Sequence, residues 1–450
     1  MTKAAPITPK NSNAKWIAIA LSMLGVMLLI LYRIGLRAEG AKDIVWFLKL
    51  VGVQAMLYVA VAWLSWRARR SRSLLIIGLI FAALFRLSIL FSPPYHSDDI
   101  YRYVWDGRVQ AAGINPYRYI PADQSLAELR DERIYPNINR REYARTIYPP
   151  VAEVIYFLTT RVSESVTWMK ATMVGFEAIA VWALIQLLAS FGLPSQRILI
   201  YAWHPLVVWE FAGSGHLDAI AIAFIALALL AYRRNAPVAT GVVLACAVLV
   251  KFIPVALFPA LYKRWSWKMP LAFAITVVVA YLPYLSVGPL GVLGFLPGYA
   301  GEQRIVSGEQ FFILDAVRRL LNRFDLPTFA YVIFALLVIV ALSVWLMRKQ
   351  QDEDANYIRS GLIMASVFML LLTPHWPWYF SWLIPFLCFV PAVPIFYLTL
   401  ASFLLYLTWY GDAADRVFHV KASLYFPCLI LSVIAIWLPR RTGKPFFIDG

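Results

Sequence analysis

The chain has 450 residues, 61% hydrophobic and only 15% charged, against roughly 45–50% apolar residues in a soluble domain. That composition excludes an ordinary soluble enzyme and predicts an all-α polytopic membrane protein, because runs long enough to cross about 30 Å of hydrocarbon recur along it; a transmembrane barrel would show short alternating segments instead. The net charge of +16 does not indicate nucleic acid, since the basic residues cluster between apolar runs (67–72, 232–235, 263–268 and 439–444), which is the positive-inside pattern.

In chain order, the first apolar run follows lysines as a signal peptide does, but no small-x-small cleavage site comes after it, so it is expected to be a retained span. Spans are predicted at about 16–34, 44–66 and 74–92, and residues 93–165 then form a long extracytoplasmic loop with short helices. Further spans follow at about 167–191, 197–212 and 217–232. The run 238–262 carries Lys251 and Pro254 at its middle and is read as a broken helix pair with an outward-facing break. Spans at about 269–287, 328–347, 359–373, 377–393, 394–411 and 421–438 complete the count, with a second outer loop at 288–327. The whole, 1–450, reads as one multispan domain of roughly 12–14 membrane helices. The loop 33–43 runs against the charge rule, with Arg33, Arg37 and Lys42 on the outer side. Cys246, Cys388 and Cys428 all fall inside apolar runs and read as core residues.

Polar residues are costly in a bilayer, and here they gather at the outer ends of spans. HSDDIYRYVWDGR, 96–108, places three aspartates, two arginines and a histidine directly after a span. GINPYRY (113–119), TIYPP (146–150), AGSGHLD (212–218) with His216 and Asp218, the break with Lys251, Glu302, Arg304 and Glu309 of the second loop, and TPHWPWY (373–379) with His375 follow. Taken singly, each has an ordinary reading: a solvated loop residue, an interfacial aromatic belt or a snorkelling lysine. Falling together on one face, they outline an outward-facing cavity. If 98–108 is helical, Arg102 lies within i, i+3 or i, i+4 of Asp98, Asp99 and Asp106. It would be held between carboxylates, leaving at least one acid to serve as a base or to hold a cation.

SDDIYRYVWDGR followed by AAGINPYRY, IYPP, WHPLVVWEFAGSGHLDA, KFIP and HWPWYFSWLIPF resembles the bacterial polyprenyl-phosphate-sugar-dependent glycosyltransferases of the C-type fold, most closely their mannosyltransferase-like members, from about residue 74 to 411. The resemblance implies that Asp98-Asp99 is the acidic motif of the first loop and that an aspartate there is the catalytic base, Asp98 first and Asp99 in reserve. The missing DxD spacer leaves open the choice between them and any role for a divalent metal, Mg or Mn; no cofactor is otherwise required. A lipid-linked donor at the outer surface would lose its polyprenyl phosphate against Arg304 and Lys251, assisted by His375 or His216. Arg102, Asp106, Tyr103, Tyr148, His216, Asp218 and Trp376 would contact substrate. An acceptor hydroxyl of a glycolipid, polysaccharide or protein would attack with inversion. The implied setting is the inner (plasma) membrane, among its lipids, with the site facing the periplasm and no nucleic-acid partner. No Gly-rich phosphate loop lies on the cytoplasmic side. Two other classes stay open: a transporter or flippase for lipid-linked saccharides, for which Lys170, Glu177 and Lys251 are the in-span candidates, and a non-catalytic scaffold. A polymerase or ligase using lipid-diphosphate oligosaccharides is the enzymatic alternative.

Overall fold

The structure is a computed structural model that describes residues 12–37, 43–263, 265–321, 326–349, 357–409 and 414–442. Gly443 and Lys444 of the basic cluster 439–444 and the middle of the loop 33–43, including Lys42, therefore lie outside the described residues. The described residues are helical, with no strand among them. Seven of their helices are long and apolar enough to cross a membrane, and four shorter apolar helices accompany them.

The first three spans are α1 (Ser12–Arg37), α2 (Ile44–Arg67) and α3 (Arg72–Leu90). Their starts follow from capping chemistry: the Asp43 carboxylate accepts from Val45 N and Trp46 N at 3.0 and 3.2 Å, and Ser71 Oγ accepts from Leu74 N, supplying partners for the orphan amides of a helix N-terminus. α4 (Asp99–Ala111) and α5 (Pro150–Thr160) belong to the long loop. They pack closely because Gly107 has no side chain: a Cβ there would lie 2.5 Å from Tyr156 O. α6 (Val166–Ser190) returns through the bundle, capped by Ser165.

The run expected to span at 197–212 is not one helix. A 3-10 turn Ser195–Ile198, the short helices Leu199–Ala202 and Pro205–Val207, and a π-helix Val208–Ser214 follow one another. Pro205 interrupts the ladder, and freed backbone groups find side-chain partners: Tyr58 Oη donates to Ile200 O and Arg86 Nη1 donates to Ala202 O at 2.6 Å. Irregular backbone survives at membrane depth only where protein surrounds it, and residues 198–223 are buried throughout. The predicted span 377–393 is likewise broken, into a 3-10 segment Pro377–Leu383 and a short helix Ile384–Leu387. The predicted break near Lys251 is present, between the helix Pro237–Val248 and the 3-10 turn Ile253–Leu257.

Two of the in-span charges that the sequence singles out, Glu177 and Lys170, are engaged inside the bundle. Arg86 pairs with Glu177 inside the bundle. Lys170 Nζ donates to Ile89 O at 3.2 Å and Ser92 O at 2.9 Å. That ammonium satisfies carbonyls at the end of α3 and so fixes where the long loop departs.

Candidate active site

The long loop, the break at 250–253, the second loop and the turn at 372–379 all line one cavity of about 790 Å³. Asp98 and Asp99 stand on one wall. Asp98 occupies the N-cap position of α4, where an aspartate ordinarily accepts from the first-turn amides, yet its side chain makes no capping bond. The carboxylate is left for the cavity. Limited hydration and the like charge of Asp99 push it above the usual aspartate range. Asp99 differs: its Oδ1 accepts from Asn139 Nδ2 at 2.7 Å.

Arg102 does not bridge these two acids. It turns the other way, both Asp106 oxygens accepting from its Nε at 2.8 and 2.9 Å, while its Nη1 donates to Ala144 O. Arg102 is 5% and Asp106 1% exposed, so the pair lies behind the cavity wall. Tyr103, fully buried, is there too, stacked on Tyr156 at 4.7 Å. Thr146 and Gln110 donate to the neighbouring Glu153 carboxylate. Arg102, Asp106 and Tyr103, expected to touch substrate, are therefore the scaffold that seats α4 on α5. Tyr148 does line the cavity, edge-on to Tyr103.

Lys251 faces the acids from another wall. Its Nζ donates to Asp218 Oδ1 and Oδ2 at 2.9 and 3.0 Å and lies 3.8 Å from the ring centre of Tyr379. Asp218 also accepts from Trp382 Nε1 at 2.7 Å. Asp218 and His216 lie behind the lining rather than on it. His216 stacks on Trp378 at 3.9 Å, and Trp378 stacks on Trp376 at 5.2 Å with a 6° tilt. Both tryptophans line the cavity.

Arg304 is placed elsewhere: it is exposed, bonded to Glu309 at 2.8 Å, and off the lining. The second lining cation is Arg140, which the sequence did not single out. Its Nε donates to Glu302 at 2.6 Å, Tyr143 Oη donates to the other Glu302 oxygen, and its guanidinium lies over Tyr299. Its φ of 55° is one that side chains beyond glycine rarely adopt; the contacts with Glu302 and Tyr299 hold it there. His375 lines the cavity, but burial and then the nearby Lys421 and Arg304 charges lower it to about 3. At neutral pH it is an uncharged imidazole that can donate or accept one hydrogen bond, not a cation.

Residues 30–268 match the family described as alpha-(1->6)-mannopyranosyltransferase, N-terminal domain. The chain belongs to this family. The matched stretch contains Asp98, Asp99, Arg140, Tyr148, Asp218 and Lys251, while the cavity walls at 296–310 and 372–379 lie beyond it. The chain is also similar to alpha-(1->6)-mannopyranosyltransferase A of Mycobacterium tuberculosis, 25% identical over 322 residues, 65% of this chain and 61% of that relative. It therefore spans less than two thirds of that mannopyranosyltransferase's length.

Proposed function

We propose that the protein is a membrane mannosyltransferase of the C-type fold that moves a mannosyl group from a polyprenyl-phosphate donor to a hydroxyl acceptor at the extracytoplasmic face of the plasma membrane. One observation carries this reading: a single cavity holds an uncommitted carboxylate, Asp98, and two fixed cations, Lys251 and Arg140, with an aromatic platform among them. Family membership supports mannose as the sugar.

The acceptor hydroxyl attacks the anomeric carbon while the bond from that carbon to the phosphate oxygen breaks. The hydroxyl proton passes to Asp98, and polyprenyl phosphate leaves with the electron pair. Lys251 and Arg140 face the charge that grows on the phosphate, and they need no reorganisation because Asp218 and Glu302 already hold them. The configuration inverts, so an α-(1→6) product, the linkage in the relative's name, requires a β-linked donor. Trp376 on the cavity lining is the aromatic side chain on which a sugar ring would pack.

A divalent cation at this motif would draw on Asp98 and Asp99, one already accepting from Asn139, and no group of three His, Cys, Asp or Glu side chains is gathered among the described residues. Charge stabilisation is therefore assigned to the two cations, and transfer should persist in EDTA. The in-span charges that a transport path would use are committed to Arg86, Asp218 and backbone carbonyls, which favours chemistry over passage.

The deciding experiment supplies radiolabelled polyprenyl-phosphate mannose and envelope glycolipids to membranes carrying wild type, Asp98→Asn or Asp99→Asn at matched expression. Transfer by wild type with a loss of about a hundredfold or more in Asp98→Asn is expected for removal of a general base. Equal transfer by all three would remove this motif from the chemistry.

A further inference from the structure

Two tyrosines on the cavity lining take no part in the chemistry above. Tyr299 sits on the helix Leu296–Glu302 of the second loop and Tyr379 on the 3-10 segment Pro377–Leu383. Each is set against one of the two cations. Lys251 Nζ lies 3.8 Å from the ring centre of Tyr379, and the Arg140 guanidinium lies 5.8 Å from that of Tyr299. The two hydroxyls meet at 3.3 Å. Distant parts of the chain thus form one continuous row of contacts, from Asp218 through Lys251, Tyr379, Tyr299 and Arg140 to Glu302.

The row leaves a proton over. A tyrosine hydroxyl has one proton and holds it at neutral pH. Within the pair one hydroxyl donates and the other accepts, so the accepting one keeps a proton that the pair does not use. Neither hydroxyl has another hydrogen-bond partner among the described residues; Asp99 accepts from Asn139 instead. The flanking cation Arg140 also has donors left, since it gives its Nε proton to Glu302 and keeps its terminal N–H groups. Donors without acceptors, gathered beside two cations, suit a ligand group that is anionic and only accepts. A phosphate oxygen is such a group, whereas a sugar hydroxyl would bring a proton of its own that needs a partner.

We infer that the Tyr299–Tyr379 hydroxyl pair is a further catalytic donor, giving its one unused proton as a hydrogen bond to an oxygen of the departing polyprenyl phosphate, an assignment that rests on the transferase reading above. No proton changes hands in this contact. The phenol keeps it, and the hydrogen bond strengthens as the bond from the anomeric carbon breaks and charge gathers on the phosphate. The donor is preset, because each ring is packed against a cation and each hydroxyl is held by its neighbour. Both tyrosines lie beyond residues 30–268, the stretch that matches the family and contains Lys251 and Arg140. The later part of the chain therefore contributes its own group to the phosphate site.

The test compares Tyr299→Phe, Tyr379→Phe and the double variant with wild type, all as the full chain in detergent. Phenylalanine keeps each ring against its cation and removes only the hydroxyl, so the unfolding temperature should not move. Binding is measured with farnesyl phosphate and with farnesol, the same chain without the phosphate. Wild type should bind the phosphate more tightly than the alcohol. The double variant should bind farnesyl phosphate about tenfold or more weakly, the size of one lost hydrogen bond to a charged group, and farnesol within about twofold of wild type. Its kcat for transfer from polyprenyl-phosphate mannose should fall by at least the same factor. A hydroxyl left alone still has its proton, so each single variant should lie between wild type and the double variant. If wild type transfers no mannose but prefers farnesyl phosphate to farnesol, and the double variant loses that preference, the transferase reading fails and the phosphate donor stands. If wild type transfers mannose and the double variant binds farnesyl phosphate as wild type does, the donor falls and the transferase reading stands. Equal weakening of farnesol in the double variant, or no preference for the phosphate in wild type, also overturns the assignment.

Discussion

Lys251 Nζ sits 2.9 and 3.0 Å from the two oxygens of Asp218, a carboxylate with no exposure of its own. The pair sets a cation at the cavity wall by burying its partner behind it. Breaking such a pair from one side leaves an uncompensated buried charge and costs about 3–5 kcal/mol. Lys251→Met should therefore both destabilise the protein and abolish transfer. The double variant Lys251→Met/Asp218→Asn should recover most of the stability and none of the activity. Thermal unfolding in detergent, read beside transfer per folded molecule, checks this; a double variant that regained activity would remove Lys251 from the chemistry.

Arg102 and Asp106 make the opposite case. They lie under the wall and touch no cavity surface. Asp106→Asn should lower the unfolding temperature, since a buried partner left charged costs about 3–5 kcal/mol, while the molecules that remain folded keep transfer within a few fold. Asp98→Asn should do the reverse, leaving the unfolding temperature unchanged and removing activity. The pair of measurements distinguishes a carboxylate that seats α4 from one that works at its tip.

Why could the first loop be singled out while its internal wiring could not? A dense charge run after a membrane-length apolar run is visible in one sequence, because lipid tolerates so few polar groups. The partner of Arg102 is another matter. Asp99 at i−3, Asp98 at i−4 and Asp106 at i+4 are equivalent by helical spacing. The Ala144 carbonyl, brought in from a segment 42 residues away, helps select Asp106. Arg140 carries no local signal at all; Glu302, 162 residues further on, gives it a place. The run 197–212 misleads for a related reason. Its apolar composition suits a span, but it is apolar because protein surrounds it on every side, and that burial is what permits its Pro205 break and π-turn.

Glu302 joins the two outer loops by accepting from Arg140 and Tyr143. The Arg140–Glu302 pair is partly exposed, 25% and 26% at the side chains, so its direct worth to stability is small, about 0–1 kcal/mol for a surface pair. Glu302→Gln should barely move the unfolding temperature. It should still raise the KM for the lipid-linked donor by about tenfold, because Arg140 loses the charge that aims it. Glu309→Gln, which frees Arg304 outside the cavity, should leave that KM unchanged. Equal effects of the two substitutions would mean that Arg140 does not meet the donor.

The pH dependence separates Asp98 from Asp99. A base must be ionised, so kcat/KM should fall as pH drops through the pKa of the base. For Asp98 that value lies above the ordinary aspartate range, chiefly from reduced hydration and then from the adjacent Asp99 charge. Replacing Asp99 by Asn removes the like charge, makes Asp98 easier to ionise and lowers its pKa. The acid limb of the Asp99→Asn profile should therefore move to lower pH than that of wild type, with the neutral-pH rate retained in part. Profiles in proteoliposomes between the ordinary carboxylate range and neutrality are sufficient to see it. An unchanged or upward-shifted limb would break the link between the two carboxylates. Complete loss in Asp99→Asn, with a normal limb in Asp98→Asn, would transfer the role of base to Asp99 and recast its bond from Asn139 as the contact that orients it.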